Sequence, residues 1–188
     1  MKQKLILLIF ITSFFGLNLS CDTNDTSKAK SIAEYKSSLN TWNSLKDIKG
    51  NSYKYTISSR SVFGFGSHTT ITVINGTVTT RIYEAYSIYD ENNNYVGFEN
   101  RVVLESYTEN SETLNTHDSG AKPVVIDALY DTCLSDYLSV DADSNSITFI
   151  VDDSNIIKNC YYIPNGCQDD CAFGIQISSF EWLSLASN

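Results

Sequence analysis

The sequence predicts an α+β fold, with an N-terminal amphipathic helix packed on a twisted antiparallel sheet. Three observations carry this. Apolar residues recur at three- and four-residue steps from Ser27 to Lys49, the period of a helix face. From Tyr53 the period falls to two, that of a strand with one wet face. Asn75-Gly76 then joins two β-branched runs, the strongest short hairpin signal because a type I′ turn needs positive φ twice. Successive hairpins, rather than strand–helix–strand units, place the chain in the α+β class.

Each element follows in order. Ala29, Ile32, Ala33, Tyr35, Leu39, Trp42, Leu45 and Ile48 form the helix face. Ser27 or Ser31 is placed to cap its start, and Gly50 to stop it. Tyr53, Tyr55 and Ile57 alternate with polar residues as the first strand. The Tyr35, Leu39 and Trp42 face is expected to pack on them. Phe63-Gly64-Phe65-Gly66 is a turn bearing two large apolar side chains. Residues 69–74 and 77–82 pair across Asn75-Gly76, with 83–89 prolonging the second strand. Residues 95–107 read as a further strand and 108–120 as a polar loop. Pro123 suits the first position of a second, shorter helix, carried on by Val125, Leu129, Cys133, Leu134 and Leu138. Residues 147–151 and 156–163 form another hairpin across 152–155. A Cys-bearing loop leads to a last strand at 174–183.

The first twenty-one residues read as an address. Lys2 and Lys4 precede an uncharged apolar stretch, Leu5 to Phe15, too short and broken for a membrane span of about 20 residues and suited to a secretory signal peptide. The string Leu17-Asn18-Leu19-Ser20-Cys21 resembles the lipobox of bacterial lipoproteins, in which cleavage precedes a lipid-bearing cysteine. Ser20 fits that pattern and Asn18 departs from it. The expected organisation is a signal peptide at 1–20, a lipidated Cys21 with a polar tether to residue 28, and one domain over 29–188. The resemblance implies a membrane partner through the anchor and a place in the cell envelope, at the outer membrane.

The chain has five cysteines, an odd number for an exported protein. With Cys21 lipidated, Cys133, Cys160, Cys167 and Cys171 remain, which in an oxidising compartment reads as two disulfides. Four cysteines allow three connectivities; the favoured one is a local Cys167–Cys171 clamp with a long-range Cys133–Cys160 bridge.

Charge narrows the partners. There are 13 basic and 22 acidic residues, a net charge of −9. Loss of Lys2 and Lys4 with the leader would leave 11 basic residues and a charge of −11. Nucleic acid needs a basic surface and is not an expected partner.

Further motifs resemble a group of small bacterial lipoproteins known only as a domain of unknown function. They are Trp42 in an N-terminal helix, Tyr53-Lys54-Tyr55, the hairpin Val73-Ile74-Asn75-Gly76-Thr77-Val78, and the helix Val125-Ile126-Asp127-Ala128-Leu129-Tyr130. The resemblance spans roughly residues 31–157. It implies export, lipidation and the helix-on-sheet plan, and carries no catalytic residues.

Few constellations suggest chemistry. Asp141, Asp143 and Asn145 open like a calcium loop, with Asp152 at the twelfth position. Ser146 stands where the sharp-turn glycine belongs, however, and a strand follows where an exiting helix is needed. Cys160, Cys167 and Cys171 beside Asp169 and Asp170 lack the Cys-x2-Cys knuckle of zinc sites. His117-Asp118 and His68 have no nucleophile motif around them and read as solvated. No cofactor is expected. Aromatics make up 12% of the chain, with Tyr83, Tyr86, Tyr89, Tyr95, Phe98 and Tyr107 falling in strand-like stretches. Exposed rings of this kind suit protein or carbohydrate ligands, and Phe63 and Phe65 are the candidate binding residues.

The leading functional expectation is therefore a membrane-anchored, non-catalytic binding or accessory protein of the cell envelope. The alternative is a secreted or envelope hydrolase with an unrecognised, metal-assisted acidic site. A third, an inhibitor on a cystatin-like plan, rests on fold analogy alone.

Overall fold

A computed structural model of the chain describes residues 23–184. Cys21 and the expected signal peptide lie outside the described residues.

The element order is α1 (Thr23–Lys49), β1 (Tyr53–Arg60), β2 (Phe65–Ile74), β3 (Thr77–Ser87), β4 (Val102–Asn110), α2 (Ile126–Thr132), a π-helical turn (Cys133–Tyr137), β5 (Asn145–Val151), β6 (Ile157–Pro164) and β7 (Phe173–Trp182). The seven strands form one sheet in the order β4-β3-β2-β1-β7-β6-β5, and every pairing is antiparallel. The fold is α+β, as the sequence predicts.

Helix α1 begins earlier than expected. The residues read as a tether are helical from Thr23, and Ser27 and Ser31 lie inside the helix rather than capping it. The Lys28 ammonium, donating to the Val140 carbonyl at 2.7 Å, holds this first stretch against the body of the protein. The far end is as expected: Gly50 takes φ +83° and its N–H donates to the Lys46 carbonyl at 3.0 Å, closing the last turn.

One face of the sheet carries the core. Trp42 of α1 is fully buried. It meets Tyr53 edge-on at 5.1 Å and stacks on Trp182 of β7 at 5.4 Å. Tyr35, two turns earlier on the same face, meets Tyr130 of α2 and Phe149 of β5, each at 5.8 Å. The helix thus contacts Tyr53 as expected, but its principal sheet partners come from the C-terminal strands. Burying a Trp or Leu side chain on such an interface contributes roughly 1.5–3 kcal/mol or more.

The second helix departs from its expected start. Pro123 does not open it. Val125 is extended, and the helix starts at Ile126. The cause is the pair of sheet tyrosines. The Tyr55 hydroxyl donates to the Val124 carbonyl at 2.5 Å, and the Ile126 N–H donates to the Tyr53 hydroxyl at 3.0 Å. These bonds hold residues 124–125 flat on the sheet before the chain can coil. Burial pushes the Tyr53 phenol up to about 12, so both groups stay neutral partners. Past Thr132 the helix widens into the π-turn, closed by the Leu138 N–H on the Cys133 carbonyl at 2.9 Å.

The third strand ends at Ser87, short of Tyr89, and β4 starts at Val102 rather than near Tyr95. Residues 88–101 form a folded loop.

Candidate functional site

The β1–β2 turn and the 88–101 loop meet at one end of the sheet and build an aromatic tip. The meeting is fixed by backbone bonds: the Ile88 N–H donates to the Gly64 carbonyl at 3.0 Å and the Val96 N–H to the Ile88 carbonyl at 2.9 Å. Asp90 folds the loop. Its carboxylate accepts the Asn92 and Asn94 N–H groups, both at 2.8 Å. The Asn94 side-chain amide adds its own bond and, with those N–H groups, lowers the Asp90 pKa.

Two glycines explain why the phenylalanines face water. A Cβ on Gly64, at φ +85°, would sit 2.3 Å from the Tyr89 ring, and one on Gly66 would sit 2.5 Å from the Tyr86 ring. The tyrosines occupy the space over the turn, so Phe63 and Phe65 are turned outward, at 74% and 54% exposure. Tyr95 (70%) and Phe98 (42%) stand beside them, with Val62, Val103 and Leu104 also exposed at this end. Contiguous exposed apolar surface of this kind marks interaction sites in soluble proteins.

Within the tip lies a pocket of about 190 Å³, lined by Arg60, Phe65, Tyr86, Ile88, Tyr95 and Phe98 among others. Of the two expected binding residues, Phe65 lines it and Phe63 stands outside it. Cations frame the rings. The Arg101 guanidinium lies 4.6 Å from the Phe98 ring centre and that of Arg60 5.8 Å, within cation–π range. Arg101 is held by Glu84 at 2.6 Å, and His68 faces the same carboxylate at 3.6 Å.

The strand-like tyrosines separate into two groups. Tyr83 and Tyr86 are buried, whereas Tyr89, Tyr95 and Phe98 are exposed. The exposed three lie outside the named strands, Tyr89 and Tyr95 meeting only in an isolated bridge. The sequence marked their chemistry but not their loop. Arg60 and Arg101 went unmarked, since an arginine carries no pattern that foretells a ring beneath it.

A second cavity adjoins the first. The β1–β7 ladder runs from Tyr53↔Trp182 only to Ile57↔Ile177. From there β7 pairs with β6, Gln176↔Asn159 to Phe173↔Tyr162, while β1 continues beside β2 to Arg60↔Gly66. The two strands fork, and Ser58 and Ser178 hydroxyls bond at 2.7 Å at its base. The gap is about 620 Å³, walled by Ser58, Arg60 and Ser61 on one side and Lys158, Asn159 and Gln176 on the other.

A buried polar cluster lies on β3 and β4, on the face that carries Tyr55 and Ile71. Arg81 and Glu109, 1% and 0% exposed, pair at 3.2 Å. Burial raises the Glu109 pKa, but N–H donors from Asn115 and His117, the His117 ring and Arg81 overcome it and hold the carboxyl at about 2. His117, which the sequence suggested was simply solvated, bonds Glu109 through Nδ1 at 3.0 Å and stacks on Tyr107 at 4.0 Å. Arg81 donates to the His117 and Ser119 carbonyls. These bonds strap the 111–122 loop over the sheet. The Glu109 carboxylate is taken up by these donors together with the Thr116 N–H and hydroxyl, so the cluster acts as a staple.

The other sequence candidates are placed as follows. Cys133–Cys160 and Cys167–Cys171 are disulfides, with Cα separations of 5.7 and 6.2 Å, the favoured pairing. Asp141, Asp143 and Asn145 form a turn into β5. The Asp141 carboxylate accepts from the Asp143 N–H at 3.2 Å and the Ser144 hydroxyl at 2.6 Å, and the Asn145 amide donates to the Asp141 carbonyl at 2.9 Å. These oxygens close the turn on itself. Among the described residues, no cluster of three or more His, Cys, Asp or Glu side chains is placed to hold a metal ion. No described helix is long and apolar enough to cross a membrane.

The chain matches no protein-family model, no curated protein and no solved structure.

Proposed function

We propose that this chain is a lipid-anchored, non-catalytic binding protein of the bacterial cell envelope, held at the outer membrane through Cys21, and that it takes its ligand at the aromatic tip. The proposal keeps it alongside the small lipoproteins its sequence resembles. The observation that carries the binding reading is the gathering of Phe63, Phe65, Tyr95 and Phe98 at one end of the sheet, exposed on loops locked by backbone bonds. Rigid, outward-facing rings lose little entropy on binding and bury much apolar area. The string Leu17 to Cys21 supports the anchor.

Two measurements test this. Intact mass of the protein extracted from bacterial membranes should show a chain beginning at Cys21 with a lipid-sized increment, lost in Cys21→Ser. A chain beginning elsewhere refutes the anchor. Detergent-extracted protein should also retain envelope glycans or proteins that the triple variant Phe63→Ala/Phe65→Ala/Tyr95→Ala releases. Equal retention by both refutes the tip as the binding surface.

A further inference from the structure

The structure assigns the fork between β1 and β7, together with the aromatic pocket beside it, to an acidic oligosaccharide. This rests on the binding reading above and names its ligand class.

The two cavities are one surface. Arg60 and Ser61 line both of them, so a ligand leaving the aromatic pocket passes along Arg60 into the fork. The chemistry changes on the way. The pocket presents rings and aliphatic carbon. The fork presents hydroxyls from Ser58, Ser61 and Ser178 and amides from Asn159 and Gln176. A sugar chain has this same division. Each ring offers an apolar face of C–H groups, which lies on an aromatic ring, and a rim of hydroxyls, which needs donors and acceptors at close intervals. An extended peptide would use the strand edges, but only Ser58–Arg60 and the start of β7 are free of one another, too short a stretch for a paired strand of the usual five or six residues.

Charge selects among sugars. Arg60 and Lys158 both line the fork, and neither forms an ion pair among the described residues. Lys46, Lys54, Arg81 and Arg101, by contrast, are each neutralised, by Asp127, Glu181, Glu109 and Glu84. Asp170 is the one carboxylate on the fork's lining. Two unneutralised cations against one acid, on a chain of net charge −9, make this a local positive site. It suits a carboxylated or sulfated sugar unit held by charge-assisted bonds, while a neighbouring unit stacks on Phe65, Tyr95 or Phe98.

The test is calorimetric titration of the full mature protein with two panels of tetra- to hexasaccharides, one acidic (uronic acid and sulfated) and one neutral. The expected result is binding of at least one acidic member, weakening as salt rises from low to physiological strength, with no neutral member bound as tightly. Arg60→Gln and Lys158→Gln should each weaken it about ten-fold or more. Both residues are exposed, so melting temperatures should stay within about 2 °C. Binding of no acidic member above the neutral controls overturns the assignment, as does acidic binding indifferent to both substitutions. If acidic sugars fail while the tip variants still release an envelope ligand, the tip reading stands and this inference falls. If acidic sugars bind and depend on Arg60 and Lys158 but ignore Phe65→Ala and Tyr95→Ala, the fork stands and the tip reading falls.

Discussion

Replacing Glu109 with Gln tests whether the buried staple holds the 111–122 loop. The carboxylate accepts the N–H groups of Asn115, Thr116 and His117 at 2.8, 3.0 and 2.9 Å, and the Arg81 guanidinium at 3.2 Å. An amide in its place offers one acceptor oxygen and two unwanted donors, and it leaves the Arg81 charge buried without a counter-ion. Breaking a buried pair in this way costs about 3–5 kcal/mol. That is a large share of the roughly 5–15 kcal/mol that holds a typical domain, and it should lower the melting temperature by roughly 6–20 °C for a chain of this length. The assay is thermal and urea unfolding followed by near-ultraviolet circular dichroism, since Tyr107 and Tyr83 flank the cluster. The double variant Arg81→Met/Glu109→Leu should recover part of the loss, because no charge is then stranded. The acid limb provides a second readout. The folded-state carboxyl, at about 2, lies below its ordinary value of 4.5. Its contribution is therefore complete above about 4.5, shrinks as the pH falls, and is gone once the pH passes below about 2. Glu109→Gln should flatten that part of the stability curve. A loss under about 1 kcal/mol, or a double variant as unstable as the sum of the single ones, would refute the staple.

Three other outcomes follow from the packing. Trp42→Ala empties a fully buried site between Tyr53, Phe180 and Trp182; it should cost about 3–5 kcal/mol and strip much of the near-ultraviolet dichroism, which equilibrium unfolding will show. Cys133→Ala/Cys160→Ala opens a bridge with a sequence separation of 27, worth roughly 3.5 kcal/mol by chain entropy. Cys167→Ala/Cys171→Ala, with a separation of 4, should cost about 2 kcal/mol; denaturant midpoints in the reverse order would contradict this. Gly66→Ala drives a methyl into the Tyr86 ring and should destabilise by about 1–3 kcal/mol; calorimetry giving no change would show that the ring yields.

Local pattern carried much of this architecture. The helix face through Trp42, the Asn75-Gly76 hairpin and the 145–164 hairpin are all dictated by neighbours in sequence. Those signals name element type, and the structure agrees. What local pattern could not carry is what distant residues do to a segment. Val125 stays extended because tyrosine hydroxyls about 70 residues away claim its neighbours, the Val124 carbonyl and the Ile126 N–H. His117 looks solvated in its polar surroundings, yet Glu109 and Tyr107 collect it from a neighbouring strand. Arg81 falls in a β-branched run that gives no sign of which face it will occupy. The aromatic tip was half legible. Phe63 and Phe65 stood out because glycines flank them, but the loop that completes the pocket at Phe65 includes residues from Tyr95 onward that read as strand.

The shared allegiance of β7 bears on how the protein is made. One end of that strand belongs to β1, more than 120 residues earlier, and the other to β6. The ribosome releases the first four strands and then the β5–β6 pair as separate groups, each able to form its own short-range hairpins. Their strands cannot become one sheet until residues 173–182 have emerged. Until then both present an open strand edge, the kind of surface that invites wrong partners. Closure of the sheet is thus gated at the chain's far end: in a polypeptide cut before β7, α1 and α2 are the links left between the two strand groups, and the facing edges of β1 and β6 stay unpaired.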